Sequence, residues 1–272
     1  MKRIMLALLS VFVLILSGCG YGREIDRLKE QMESLQGEIE VLKSGSPANQ
    51  SETPTQDAQP TVPTLYKQHE TPYGTLKQYS KGGALQTDAL AKKVMSSAVL
   101  IDCVEKANQN IHVCFGGTVV LHQGERTLIA TSAYHIDEYQ EFSVRVSEGD
   151  AQQSYPAVLL GFDEQKTVAI LVAEYKIGEP AMWGCNEDVS LGQSVLNGSF
   201  DQNFEVVLCQ GTILSITDEI FSNLYDIGLI RGTTVYAENG CAVGMYLKAG
   251  STRITPIDHV LVLICDILNG NG

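Results

Sequence analysis

The chain has 272 residues, 44% apolar and 19% charged, which is ordinary globular composition with enough length for a sizeable core. Its 32 acids against 19 bases give a formal charge of −13, which excludes a surface built for nucleic acid or anionic lipid and names no partner.

Residues 1–20 open with Lys2 and Arg3, continue through an apolar run over 5–16 and end in small residues, the pattern of an exported protein's signal peptide. The run is too short to span a bilayer. Its end, Leu16-Ser17-Gly18-Cys19, resembles the bacterial lipobox, in which the cysteine becomes the acylated first residue. That resemblance implies a signal peptide over 1–18, a lipid on Cys19, and a place in the bacterial cell envelope, membrane-anchored and outside the cytoplasm. Loss of Lys2 and Arg3 leaves 32 acids against 19 − 2 = 17 bases, a charge of −15.

Ile25, Leu28, Met32, Leu35, Ile39 and Leu42 follow at spacings of 3, 4, 3, 4 and 3, so residues 23–44 read as a three-heptad coiled-coil helix. Ile and Met at one core position and Leu at the other lean towards a homo-oligomer, a parallel dimer; the competing readings are a single amphipathic helix lying on the membrane and a helix frayed by Gly37. Residues 45–64 hold four prolines and hardly an apolar side chain. They cannot build a core and read as a disordered spacer of about 25 Å.

From residue 65 the pattern changes to short β-rich apolar runs at 99–103, 111–115, 119–121, 127–130, 142–146, 157–160, 168–172, 194–196, 204–208, 212–216, 234–236, 242–247 and 253–255. Helical spacing occurs only near 90–95 and over 258–268, so the class is all-β, a barrel or sandwich protein. The runs at 119–121 and 127–130 flank Gln123-Gly124-Glu125-Arg126, a hairpin turn, and place His135 just past the second strand. Six cysteines remain beyond Cys19: Cys103, Cys114, Cys185, Cys209, Cys241 and Cys265. They allow up to three disulfides, with Cys103 and Cys114 the easiest pair, or they are all small buried hydrophobes. His112 with Cys114 has no second ligand pair to hold a metal, and no cofactor is implied.

Several segments resemble, in order, the trypsin-like serine peptidases of the HtrA/Deg branch. Ala130-Thr131-Ser132-Ala133-Tyr134-His135-Ile136 is similar to the family's histidine motif, and residues 155–171 to the segment around its aspartate. Gly192-Gln193-Ser194-Val195 and Gln210-Gly211-Thr212-Ile213 resemble the opening of the second barrel. Asn239-Gly240, Val243-Gly244-Met245 and Ile254-Thr255-Pro256-Ile257 resemble the strands after the nucleophile. The likeness covers about 95–262 and implies, for a peptidase domain over 65–272, two six-stranded β-barrels with a C-terminal helix and a site in the cleft between them. No PDZ-like segment is expected after that helix.

The same alignment implies a degenerate site. A serine peptidase needs a histidine base, a carboxylate that orients it, a serine, and backbone N–H groups for the oxyanion. His135 keeps the base position, Thr167 stands at the aspartate position, and Asp163 matches a separate, non-catalytic aspartate. Leu229-Ile230-Arg231-Gly232-Thr233 lies on the family's Gly-x-Ser-Gly-Gly motif, so Arg231 replaces the nucleophile and two oxyanion-loop glycines are lost. The expectation is a non-catalytic binding or scaffolding pseudoprotease, with Arg231 and His135 receiving an anionic peptide or protein ligand. Two alternatives stand beside it. One is a hydrolase using Thr233, Thr234 or Cys241 as an unusual nucleophile; the other is an assembly element in which the coiled coil matters most.

Overall fold

The computed structural model describes residues 62–146, 153–165, 167–201, 205–224, 231–247 and 253–270. The expected signal peptide, Cys19, the 23–44 seam and nearly all of the 45–64 spacer lie outside these residues, as do Leu229 and Ile230.

Two strands precede the first predicted one. β1 (Thr64–Thr71) and β2 (Gly74–Ser80) form an antiparallel hairpin around Pro72-Tyr73. Thr71 Oγ1 closes the turn, donating to the Gly74 carbonyl at 2.7 Å and accepting from the Tyr73 N–H at 3.2 Å. On β2, Leu76 and Gln78 alternate inward with period two. α1 (Thr87–Ser97) follows and buries Leu90, Val94 and Met95 along one face.

The first barrel contains β3 (Ala98–Glu105), β4 (His112–Gln123), β5 (Arg126–Ser132), β6 (Tyr139–Val146), β7 (Tyr155–Phe162) and β8 (Val168–Ala173), closed in the order β3-β4-β5-β8-β7-β6. The second contains β9 (Ser194–Phe200), β10 (Val206–Ile216), β11 (Ile220–Ser222), β12 (Thr234–Ala237), β13 (Ala242–Met245) and β14 (Arg253–Pro256), closed as β10-β11-β14-β13-β12-β9. α2 (Ile257–Leu268) ends the described chain. The all-β double barrel with a terminal helix is therefore the architecture found.

Two pairs of predicted runs are single strands. The runs at 111–115 and 119–121 join through Gly116-Gly117 into β4, and those at 204–208 and 212–216 join through Gly211 into β10. These glycines are packing positions, not breaks. A Cβ on Gly117 would lie 2.7 Å from Ile101 Cδ1, and one on Gly211 would lie 2.7 Å from the Leu224 nitrogen.

Three apolar clusters hold the fold. One fills the first barrel around Val99, Ile101, Phe115, Ile129 and Leu171; one fills the second around Val195, Ile213, Val235 and Ile254. The third is a seam shared by Leu76, Leu90, Leu128, Trp183, Met245 and the inner face of α2. β8 faces both the first interior and the seam, which is why Val168-Ala169-Ile170-Leu171-Val172-Ala173 is apolar throughout instead of alternating.

The Cys103–Cys114 disulfide considered from sequence does not form. Cys103 lies opposite Val113 and Cys114 opposite Asp102, so the two side chains leave opposite faces of the sheet. Cys103, Cys114, Cys185, Cys241 and Cys265 are free thiols, and desolvation pushes each upward, Cys103 to about 12 and the other four to about 11. The small-hydrophobe reading describes Cys103, which packs inside the first barrel.

Candidate functional site

His135 stands where β5 ends. Ala133 and Ile136, both fully buried, anchor the chain on either side of it, and a 3-10 turn runs over Ile136–Glu138. Between these anchors His135 is forced into the left-handed region, φ 59° and ψ 17°, which histidine tolerates better than most residues. Its exposed imidazole places Nδ1 2.7 Å from Glu138 Oε1 and meets the Tyr134 ring edge-on, centroids 4.0 Å apart. In the neutral ring the proton then sits on Nδ1, and Nε2 carries the lone pair. Glu138 was not singled out from the sequence, although an acid three residues after the histidine was the available signal.

Thr167 brings no carboxylate to this imidazole. Its N–H donates to Asp163 Oδ1 at 2.8 Å and its carbonyl accepts from Ala133 N–H at 3.0 Å. Asp163 is buried and also receives the N–H groups of Gln165, at 3.0 Å, and Val168. It caps the loop into β8. Among the described residues no hydrogen bond joins Thr167 or Asp163 to His135.

Arg231 enters from the second barrel's side but is held by the first. Its carbonyl accepts the Gly116 N–H at 2.8 Å, and the neighbouring Gly232 N–H donates to the Tyr246 carbonyl at 2.6 Å. Gly232, with φ 87°, is the one residue type that fits there: a Cβ would lie 2.2 Å from the Gly116 oxygen and 2.3 Å from Thr131 Oγ1. The guanidinium carbon lies 4.5 Å from the Phe115 ring centroid and 5.9 Å from that of Tyr134. These distances are those of a cation–π contact. Nε is buried with no acceptor among the described residues.

The structure thus gathers the three sequence-chosen positions into one patch. Ala133 touches Thr167, and Tyr134 lies between His135 and Arg231. It does not assemble a relay, because the imidazole pairs with Glu138 and the cation stacks on aromatic rings.

The substitute nucleophiles are otherwise engaged. Thr233 Oγ1 accepts from Asn197 Nδ2 at 2.9 Å, and Thr234 Oγ1 donates to Thr118 Oγ1 at 2.8 Å, both hydroxyls being buried. The thiol of Cys241 is buried as well and raised to about 11, far from a thiolate at neutral pH.

No family model matches this chain, and no curated protein matches it. Solved structures do: the crystal structure of Deg5 superimposes with a TM-score of 0.57 at 18% identity, covering 69% of this chain and 98% of that one. At that identity the likeness speaks for the fold, and with two closed six-stranded barrels and the terminal helix it makes the architecture trypsin-like.

Proposed function

We propose that this chain is a lipid-anchored, non-catalytic binding module of the bacterial cell envelope, a pseudoprotease whose cleft around Arg231 and His135 receives an anionic peptide or protein segment. The observation that carries the reading is the setting of Arg231. Its backbone is pinned to Gly116 beside the Tyr134–His135 corner, which supports reading Arg231 as the replacement of the nucleophile. A guanidinium stays protonated and cannot attack a carbonyl, while its planar fork of donors suits carboxylates. Loss of the serine alone removes about six decades of rate, roughly 8 kcal/mol. The other parts of the proposal come from sequence: acylation at Cys19 tethers the chain, and residues 23–44 pair it with another copy.

One observation favours the alternative of an active hydrolase with an unusual nucleophile. The Glu138 carboxylate on Nδ1 is the kind of partner that orients an imidazole base. Against it, the three substitute nucleophiles Thr233, Thr234 and Cys241 are all buried.

The test uses full-length wild type and an Arg231→Ser, Thr167→Asp double variant, each incubated with an unstructured protein and a serine-directed probe. Neither should hydrolyse or label above background. Robust turnover by wild type overturns the proposal, and turnover by the double variant alone overturns the loss of a working oxyanion loop. Membrane fractionation of Cys19→Ala tests the tether, which is wrong if the variant stays membrane-bound. Light scattering of Leu28→Asp with Leu35→Asp tests the seam, which is wrong if the mass is unchanged.

A further inference from the structure

A cavity of about 410 Å³ lies among β2, α1, β4 and the segment joining the two barrels, and it shares no residue with the Arg231 cleft. Its size is that of a small-ligand pocket. Leu76, Val120, Leu121 and Ala181 give it apolar walls, all of them buried residues.

One donor on its lining has no proper acceptor among the described residues. Lys93, on α1, is half-buried, and its Nζ finds only the thioether of Met182, at 3.3 Å. A thioether sulfur is a weak acceptor, and an ammonium has three hydrogens to place. No carboxylate lies within ion-pair distance of it among the described residues, although the chain carries 32 acids. Burial accordingly lowers the ammonium's pKa from its ordinary 10.5. The lysine is held in place from below, because its stem lies flat on the Asn239-Gly240 turn: a Cβ on Gly240 would come within 2.8 Å of Lys93 Cδ and 3.3 Å of Nζ. Trp183 closes one side of the cavity, 1% exposed, with its indole N–H shut away from solvent and without a partner among the described residues. Polar groups drawn out of water are almost always satisfied, so an ammonium on an apolar-walled cavity with only a thioether beside it points to an occupant that supplies the missing acceptor.

We propose that this cavity binds a carboxylate joined to an apolar body, the carboxylate on Lys93 Nζ and the apolar part against Leu76, Val120 and Trp183. A free monocarboxylate and the C-terminal residue of a peptide share this chemistry. A lone anion such as phosphate would leave the apolar walls bare, and a neutral apolar molecule would leave the ammonium unpaired.

Trp183 is the one tryptophan in the sequence, so intrinsic fluorescence reports this cavity directly. The full-length protein is titrated with octanoate and with N-acetyl-alanyl-leucine, each beside its amide. At least one acid should shift Trp183 emission saturably, with its amide binding about tenfold more weakly or worse. Response to octanoate alone assigns the site to free monocarboxylates, and response to the dipeptide alone assigns it to a peptide terminus. Silence from both acids, or amides that bind as well as acids, overturns the proposal without recourse to any variant. Lys93→Met should then lose the acid preference and Lys93→Arg should keep it; a folded Lys93→Met that still prefers acids also overturns it. Arg231→Ser should leave the titration unchanged, which separates this site from the cleft.

Discussion

The two barrels share a topology but not a build. The first is made of strands of six to twelve residues, whereas β11, β12, β13 and β14 of the second have only three or four. The first holds His135 and Thr167 at the ends of its own long strands. The second presents Arg231 ahead of a four-residue strand and relies on its neighbour to fix it, through Gly116 and Thr118. A short-stranded barrel keeps a site in place by hydrogen-bonding it to a longer-stranded one, so the junction near Gly232 matters more to geometry than either interior.

The strongest way to break that contrast is Gly232→Ala. The added methyl meets backbone at 2.2 Å in a left-handed conformation, where neither side can retreat. A loss of about 3 kcal/mol or more is expected, a fall of roughly 10 °C in melting temperature. A melting curve within about 2 °C of wild type would show that the junction yields.

A second experiment compares one substitution in each interior. Ile129→Ala in the first barrel should cost about 3 kcal/mol, because long strands crowded by Val99, Ile101 and Gly117 cannot close around the void. Ile254→Ala in the second should cost less, about 2 kcal/mol, since a four-residue strand can shift inward. Chemical denaturation reads both, and a larger loss at Ile254 would reverse the comparison.

The smallest expected effect is alkaline and belongs to the first barrel. Cys103 titrates near 9.0 when unfolded but is pushed to about 12 inside the barrel by burial, with Asp102 and Cys114 adding to the rise. The folded state therefore holds this proton longer, and its contribution is complete below pH 9 and fades as pH climbs from 9 towards 12. At pH 9.5 the loss from this thiol is under about 1 kcal/mol. Cys103→Ala should flatten the fall in stability between pH 8 and 9.5 relative to wild type; parallel slopes would refute the assignment.

Much of the framework could be read from the residues because each strand carries its own alternation or its own wholly apolar run. β8 was located by its unbroken apolar sequence and α2 by its helical spacing. The β1–β2 hairpin escaped because β1 is exposed almost throughout, so Thr64-Leu65-Tyr66-Lys67-Gln68-His69 offers little apolar alternation. Gly116-Gly117 looked like punctuation because crowding by Ile101, Ile129 and Val99 exists only once the barrel is closed. At the cleft, His135, Thr167 and Arg231 could be chosen from motif order, and Glu138 left a signal in its i, i+3 spacing from His135, but the stacking of Arg231 on Phe115 left none. The cavity was invisible for a related reason: its walls come from residues near 76, 93, 120 and 182, which no local pattern connects.

The position of α2 in the chain has a consequence for the order of folding. The helix packs on β8 of the first barrel and on β13 and β14 of the second, and its Ile257, Val260, Leu261 and Ile264 complete the shared seam. A growing polypeptide delivers those side chains after every strand of both barrels has been made. Until then the outer face of β8 stays wet, so a nascent or clipped chain ending before residue 257 should expose a sticky apolar stripe to chaperones and proteases. Closure of the seam thus waits for α2, however early the strands around it have paired.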